Sequence, residues 1–440
     1  MARVLFAVEL ATQPSDLRTV RGLAIAAARA GHVVFVALRD VELGRRMFAR
    51  TRVVVLPAPV PVRPLPNPVR GPSGFPGLLH NAGFAQVPRL AARVGVWRTL
   101  FAMAKPNTVV AYRAPTALLA ARGTNLRTVL ADGSGALTPP GTAPLPLLRP
   151  WAKPEADKVA AAEKSLLERC NAVLKAYKAP EMNALGDLFA ATATVFATFN
   201  DLDPFGRRAV IYLGGPMPQP AEDGVDPEWP AESTATSPKK VLALVRSIRG
   251  AEKLLEGFKA SGQRVLAVVP RLPKEIADKF AGSNIAFASG KFDLARALAA
   301  SDAVVVHGAH GSVIGALRSG KPLLLLPLNT EQRLVGLRVV EQGCGLMPDK
   351  LEDGTIGEAL ARLVGEPGFT RAAQDFAERV AKPPKQNPGA LFVNALGPVP
   401  KKPQPGQAGQ AQGGPGQQRP QQGRPGQPRG AQQRQAPRKK

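Results

Sequence analysis

The stretch SDAVVVHGAHGSVIGALRSGKPLLLLPLNTEQ, Ser301–Gln332, carries two of the chain's four histidines, His307 and His310, in one glycine-rich turn. The β-branched run DAVVV reads as a strand. A helix begins at about His310, and PLLLLPL reads as a second strand. Strand, helix and strand in so short a span predict a parallel pair joined by a crossover helix. Gly308 and Gly311 allow close backbone approach and positive φ. The helix behind them presents unsatisfied N–H groups and the positive end of its dipole, which suits an anion such as a phosphate. The dipole alone is worth only ~0.3–1 kcal/mol when exposed. A diphosphate seat therefore also needs donors such as Ser312 and His307. Spacing alone leaves the plainer reading open, a connector with incidental imidazoles.

The same alternation runs outward in both directions. RVLFAV, HVVFVAL, RVVVLP, TVVAY, LRTVLA, ATVFAT and AVIYL are strand candidates in the first half, with helical segments over 15–30, 87–105 and 154–190. After residue 239 the alternation restarts with KVLALV, RVLAVVP, NIAFAS and DAVVV. Strands separated by helices predict an α/β protein whose parallel sheets are covered on both faces. Residues 214–239, rich in Pro, Ser, Thr and acidic residues, divide the two series as a linker. The expected layout is one doubly wound domain over 1–213, the linker, a second over 240–382, and a disordered basic tail over 383–440. Ligands of such sheets bind beyond the carboxyl ends of the strands, which places a site between the domains.

Composition narrows the class. The longest apolar runs fall far short of the ~20 residues of a membrane-spanning helix. Glu9 interrupts the first run, so MARVLFAVELA reads as a buried strand rather than a signal peptide. Cys170 and Cys344 lack metal-ligand spacing and form no disulfide framework, which fits a reducing cytoplasm. Of the net charge of +25, residues 401–440 supply +9, because they hold nine Lys/Arg and no acid. Lacking any apolar side chain larger than Ala or Pro, they cannot offset their ordering entropy by burial. They read as a tether to a polyanion or to an acidic membrane surface at the inner face, or as a solubilising extension.

The motif HGAHGSVIGALRSGKPLLLLPLNTEQ, followed by RVVEQGCGL, resembles the donor-binding segment of GT-B nucleotide-sugar glycosyltransferases. These are enzymes of the UDP-glucuronosyltransferase and macrolide or flavonoid glycosyltransferase type. The resemblance extends over most of residues 1–382, including APTALLAAR and the opening β-α-β. It implies two Rossmann-like domains across a cleft, and an NDP-sugar, UDP-linked, as co-substrate. No cofactor or metal is implied, and displacement is inverting. It further implies that His307, Gly308, Gly311 and Ser312 contact the donor diphosphate, and that Glu331 and Gln332 hold hydroxyls of the sugar. By the same pattern His310 is incidental. Arg246, after the first strand of the second domain, either balances diphosphate charge or is a solvated surface arginine. Ala309 stands where the family has Gly, and Gly315 where many members have a ribose-binding Glu.

The acceptor half departs from the pattern. The family's Gly-His after the first strand falls on Ser15-Asp16, and its orienting Asp on Tyr112. An acceptor hydroxyl needs a base, a contribution of about 10²–10⁴-fold. Three explanations stand: Asp16 is the base, another residue such as His80 has taken the role, or the protein binds a nucleotide sugar without transferring it. The last would make it a silent scaffold or adaptor. PSDL also places Ser15 or Asp16 where a helix N-cap is favoured. The acceptor is an unidentified small molecule or lipid. Asp201 and Asp203 in DLDP have the spacing of a metal pair but read as turn chemistry.

Overall fold

The computed structural model describes residues 2–11, 14–61, 65, 67–215, 224–246, 251–280, 282–288, 292–349, 354–381 and 387–397. The first sheet contains β1 (Arg3–Val8), β2 (Val33–Leu38), β3 (Val54–Pro57), β4 (Thr108–Tyr112), β5 (Arg127–Asp132), β6 (Ala193–Phe196) and β7 (Ile211–Tyr212). Their order is β3-β2-β1-β4-β5-β6-β7, and every pairing is parallel. The second sheet contains β8 (Lys240–Leu244), β9 (Arg264–Val268), β10 (Ile285–Phe287), β11 (Ala303–Val306), β12 (Leu323–Leu325) and β13 (Gly345–Leu346). Its order is β10-β9-β8-β11-β12-β13, again all parallel. The two doubly wound sheets predicted from the alternation are present. Central strands such as β4 and β11 are buried at every position, as continuous apolar runs require.

Each sheet reverses its strand order once, between β1 and β4 and between β8 and β11. Register then fixes what emerges at those switch points. Val8 pairs with Tyr112, and Tyr112 with Ala131, so Glu9, Arg113 and Asp132 lie side by side at the carboxyl edge. Val306 pairs with both Leu244 and Leu325, which sets His307 between Val245 and Leu326.

The two halves touch directly. Phe199 meets Phe376 edge-on at 5.8 Å. Arg338 Nε donates to the Asp201 carbonyl at 3.2 Å, and Arg318 donates to the Gly215 carbonyl. Between the sheets, residues 224–239 form no helix or strand beyond an isolated bridge, Val225 to Phe292.

One expectation fails at the C-terminus. Order was expected to fade from residue 383, yet Pro388–Ala395 is a helix packed on the first sheet. Phe392 is fully buried, 6.0 Å from Phe6. Thr108 Oγ1 and Arg127 Nε donate to the carbonyls of Leu396 and Ala395. The physical reason lies in NPGALFVNALG. Asn387 caps the helix by accepting from the Gly389 N–H, Pro388 occupies its first position, and Gly397 ends it at positive φ. The apolar face of the segment then has a sheet to cover. Residues 398–440, including the basic 401–440 segment, lie outside the described residues.

Candidate functional site

The N-terminal half of the site is built around Arg113, a residue that the sequence reading did not single out. It follows β4 at φ 48°, the left-handed region that a non-glycine side chain occupies at a cost of about 1–3 kcal/mol. That conformation turns its guanidinium into the seam between the domains. Nε donates to Asp132 Oδ1 at 2.8 Å, and Nη1 to Asp16 Oδ2 at 3.3 Å. Nη1 and Nη2 also reach Glu331 of the second domain, at 3.2 and 2.5 Å. The fully buried Tyr112 donates its hydroxyl to Asp16 Oδ1 at 3.3 Å. Burial pushes the Tyr112 phenol well up, so it stays a neutral donor.

Asp132 accepts from Arg113, from the Gly133 N–H and from Thr138 Oγ1, which is the pattern of a carboxylate. Ser134 Oγ donates to Glu331 Oε1 at 2.7 Å. Burial pushes the Glu331 carboxyl up, but Arg113 and Ser134 outweigh it and hold Glu331 below the usual range. Arg113 pays its own desolvation and is nevertheless held well above its ordinary value by Asp132 and Glu331. The GSG turn that carries Ser134 is pinned from below. Arg207 donates to the Gly135 and Thr138 carbonyls, and to both oxygens of the fully buried Asp203. Asp203 also accepts from Tyr212, so the Asp203 carboxylate is a brace for this turn. Among the described residues, no group of three or more His, Cys, Asp or Glu is arranged to hold a metal ion.

The structure gives the two histidines different surroundings. His307 has both ring nitrogens occupied: Nδ1 donates to the Leu326 carbonyl at 2.8 Å, and Nε2 accepts the Arg246 backbone N–H at 2.9 Å. Burial pushes its pKa down, which keeps the ring neutral. With its one N–H used, the ring has no donor for a phosphate, and it braces β8, β11 and β12 together instead. Gly308 is needed for packing as much as for the turn. Its φ is +83°, and a Cβ there would stand 2.9 Å from the Gln332 carbonyl.

His310 opens the helix His310–Arg318. Its Nε2 is buried with no hydrogen-bond partner. Nδ1 lies 3.8 Å from where a Cβ on Gly133 of the first domain would stand. Burial pushes its pKa down to about 4, against the opposing pull of Glu331 and Asp132. The residue read as incidental thus lies at the seam. Gly311 is exposed at the helix mouth, with nothing within 4 Å of an added Cβ. The Ser312 amide bonds the Ala309 carbonyl, so of Ser312 it is the hydroxyl that remains for a ligand.

Glu331 and Gln332 begin the helix Thr330–Glu341, but only Glu331 faces the seam. Gln332 is buried, and its Oε1 accepts the Leu328 N–H at 2.7 Å, locking the preceding turn. The expected sugar contact of its side-chain oxygen is therefore replaced by a structural one. Arg246 is exposed at the carboxyl end of β8, beside His307. Asp16 occupies the third position of the helix Pro14–Arg29 rather than preceding it, and its carboxylate is turned onto Tyr112 and Arg113. His80 makes no hydrogen bond to Asp16 or Arg113; its Nε2 lies against the Asn67 carbonyl at 3.2 Å.

Next to Arg113 the first domain encloses a small apolar cavity of about 20 Å³, lined among others by Leu10, Phe75, Leu79, Leu118 and Phe189. That volume holds about one water. A larger hollow of about 190 Å³ beside Arg122 and Thr124 lies near Thr128, toward the opposite end of β5, and gathers no comparable chemistry.

Two parallel-sheet domains, each with one switch point, share the GT-B fold of solved glycosyltransferases. Residues 286–390 match the family of erythromycin biosynthesis protein CIII-like C-terminal domains. A stretch of 91 residues is 34% identical to the elloramycin glycosyltransferase ElmGT of Streptomyces olivaceus, covering 21% of this chain and 23% of that protein. The match thus spans about a quarter of that relative's length. Among solved structures, the calicheamicin glycosyltransferase CalG4 is 16% identical, over 91% of this chain and 100% of its own, with a TM-score of 0.65. The glycosyltransferase VinC in complex with dTDP is 18% identical, over 90% and 99%, with a TM-score of 0.61. The spinosyn rhamnosyltransferase SpnG, complexed with thymidine diphosphate, is 19% identical over 89% and 99%, at 0.55.

Proposed function

We propose that the protein transfers a hexosyl group from a nucleoside diphosphate sugar to an acceptor hydroxyl, with inversion and without a metal. What carries the reading is the placement of the His310–Arg318 helix terminus and Glu331 together at the junction of two switch points. In an inverting transfer the acceptor oxygen bonds the anomeric carbon as the carbon–phosphate oxygen bond breaks; the hydroxyl proton passes to a base, for which Asp16 is the candidate, and the diphosphate leaves with the electron pair. Its charge would be met by the backbone N–H groups at the helix mouth, by the Ser312 hydroxyl and by Arg246. His307 supports this seat by fixing the turn rather than by touching phosphate. Glu331 would hold the sugar.

The sequence reading favoured a uridine nucleotide. Gly315 leaves no carboxylate for a ribose diol, which suits a 2′-deoxyribose as well. Solved proteins of this fold are described in complex with thymidine diphosphate. We therefore place thymidine beside uridine as the nucleotide. The acceptor would present an apolar body to the cavity beside Arg113, which must widen to admit it.

A second reading has its own observation. Asp16 and Glu331, the tentative base and the sugar ligand, are both engaged by Arg113. That arrangement suits a silent binder whose cleft is latched. Calorimetry with thymidine and uridine diphosphates and their glucose conjugates, followed by hydrolysis and transfer assays, separates the cases. Binding with turnover supports the enzyme, and binding without turnover supports the silent protein. No binding rejects both. Asp16→Asn should abolish turnover if Asp16 is the base; an unchanged rate removes it from the mechanism.

A further inference from the structure

The helices Pro14–Arg29 and Val41–Met47 cover the same face of the first sheet, where Val20, Leu23, Ala27 and Phe48 join one buried cluster. Arg21 Nε ties them together by donating to the Met47 carbonyl at 2.9 Å. Outward, the two helices and the turns beside them are cationic: residues 14–61 hold eight arginines, all exposed, and no lysine. Two exposed acids oppose them, Asp40 and Glu42, and Asp40 is engaged as the cap of the second helix. Besides Arg21, only Arg39 makes a side-chain hydrogen bond, to the Pro61 carbonyl, and none of the eight pairs with a carboxylate among the described residues. Like charge gathered in this way repels itself until anions meet it. Gly22, Ala30, Gly31 and Ala49 are exposed between the arginines. The guanidinium groups therefore stand highest, and a flat surface can reach them unobstructed.

What the face has and lacks selects its partner. Guanidinium forks bind phosphate oxygens in bidentate fashion. A second copy of this chain would bring like charge. Single-stranded nucleic acid calls for aromatic platforms, whereas Phe48 is buried and Phe35 lies under Arg3, its ring centre 4.9 Å from the guanidinium carbon. A bilayer of acidic lipid offers phosphates in a plane, and its surface potential draws polybasic faces. The helix Pro388–Ala395 packs on Pro14–Arg29, so the described chain ends beside this face, and the sequence that follows adds nine Lys/Arg and no acid over 401–440. We propose that the Pro14–Arg29 and Val41–Met47 pair is a docking surface for a membrane rich in anionic phospholipid. The folded domain, and not the C-terminal segment alone, carries the attraction. This surface goes beyond the transfer reading and stands whether or not the protein moves a sugar.

The test is co-sedimentation of the full chain with vesicles of phosphatidylcholine alone, and of phosphatidylcholine with about one-third phosphatidylglycerol. Anionic vesicles should capture the protein at low salt, neutral ones should not, and added salt should release it. A variant combining Arg18→Gln, Arg29→Gln, Arg45→Gln and Arg46→Gln should weaken capture about ten-fold or more, with its thermal midpoint unchanged. A control combining Lys175→Gln, Lys259→Gln, Lys274→Gln and Arg371→Gln removes the same charge from other exposed positions. It should hold capture within about two-fold, because the surface potential fades within a Debye length. No capture, equal capture by neutral vesicles, or an equal loss in the two variants would overturn the proposal. Capture unchanged in the first variant would assign the attraction to residues 401–440 and overturn it as well. Single-stranded or duplex RNA held more tightly than the anionic vesicles at the same salt would replace lipid with nucleic acid as the partner.

Discussion

Arg113 and Glu331, 218 residues apart in sequence, form a bidentate ion pair that joins the two domains at 3.2 and 2.5 Å. Replacing a buried partner of this kind leaves uncompensated charge, at a cost of about 3–5 kcal/mol. Arg113→Met strands Asp132 as well as Glu331, so it should fall at the upper end, read as a lower urea midpoint. Adding Glu331→Gln should recover part of the loss, and a double-mutant cycle should show coupling of about 0.5–3 kcal/mol. Additive effects would mean that the pair carries no net interaction.

Glu331 makes stability depend on acid. Against the upward push of burial, Arg113 and Ser134 hold its folded pKa below the ordinary 4.5 of a glutamate. Its contribution is therefore complete above about pH 4.5 and is lost as pH falls through the lower folded value. Glu331→Gln should flatten the acid limb of the stability profile relative to the parent protein. An unchanged limb would show that Glu331 is not held ionised by Arg113.

His310 works in a different window. Its folded pKa of about 4 lies below the ordinary 6.5, so the unfolded chain binds the proton first. Stability from keeping this ring neutral is present above about pH 6.5 and declines as pH falls toward 4. The decline should be on the order of 2–3 kcal/mol. His310→Gln should remove most of it, as measured by urea unfolding at pH 7.5 and 5. With four histidines in the chain, imidazole NMR can follow the ring directly.

His307 should behave as a brace. His307→Ala leaves the Leu326 carbonyl and the Arg246 N–H without their partner, at about 1–3 kcal/mol. Nucleotide affinity should fall through loosening of the turn, and amide exchange at Arg246 should quicken. Wild-type exchange and stability in the variant would return the ring to the role of a direct ligand.

Both sheets could be read from the sequence, because parallel strands buried on two faces leave continuous apolar runs between helices. The glycine turn ahead of the His310–Arg318 helix could be read as well, because its glycines and helix lie together in one short stretch. The seam could not. Arg113, Asp132, Ser134, His310 and Glu331 come from separate turns, and register alone sets Arg113 beside Asp132. A partial signal existed in LADGSG, an acid at the end of a strand followed by a glycine turn, where ligand sites of such sheets form. The left-handed backbone of Arg113 has no sequence signature at all. At the other end, Pro388–Ala395 was obscured by the low-complexity segment that follows it, although its cap, proline and terminal glycine were all present.

That helix is also open to test. Phe392→Ala should cost about 3–5 kcal/mol, the usual penalty for emptying a buried aromatic site. Truncation after residue 399 should leave the thermal midpoint unchanged, whereas truncation after residue 386 should lower it by several degrees. Equal midpoints for the two truncations would show that the helix adds nothing to the first domain.

The return of Pro388–Ala395 to the first sheet means that the polypeptide passes between the lobes twice, once through 214–239 and once after the helix Pro367–Ala381. A lobe on a single tether can swivel in any direction. Here the second connection, six peptide steps from Ala381 to Asn387, holds those two points within about 22 Å of each other whatever path it takes. Any separation of the lobes at the Arg113–Glu331 pair would thereby be limited by chain length as well as by contacts.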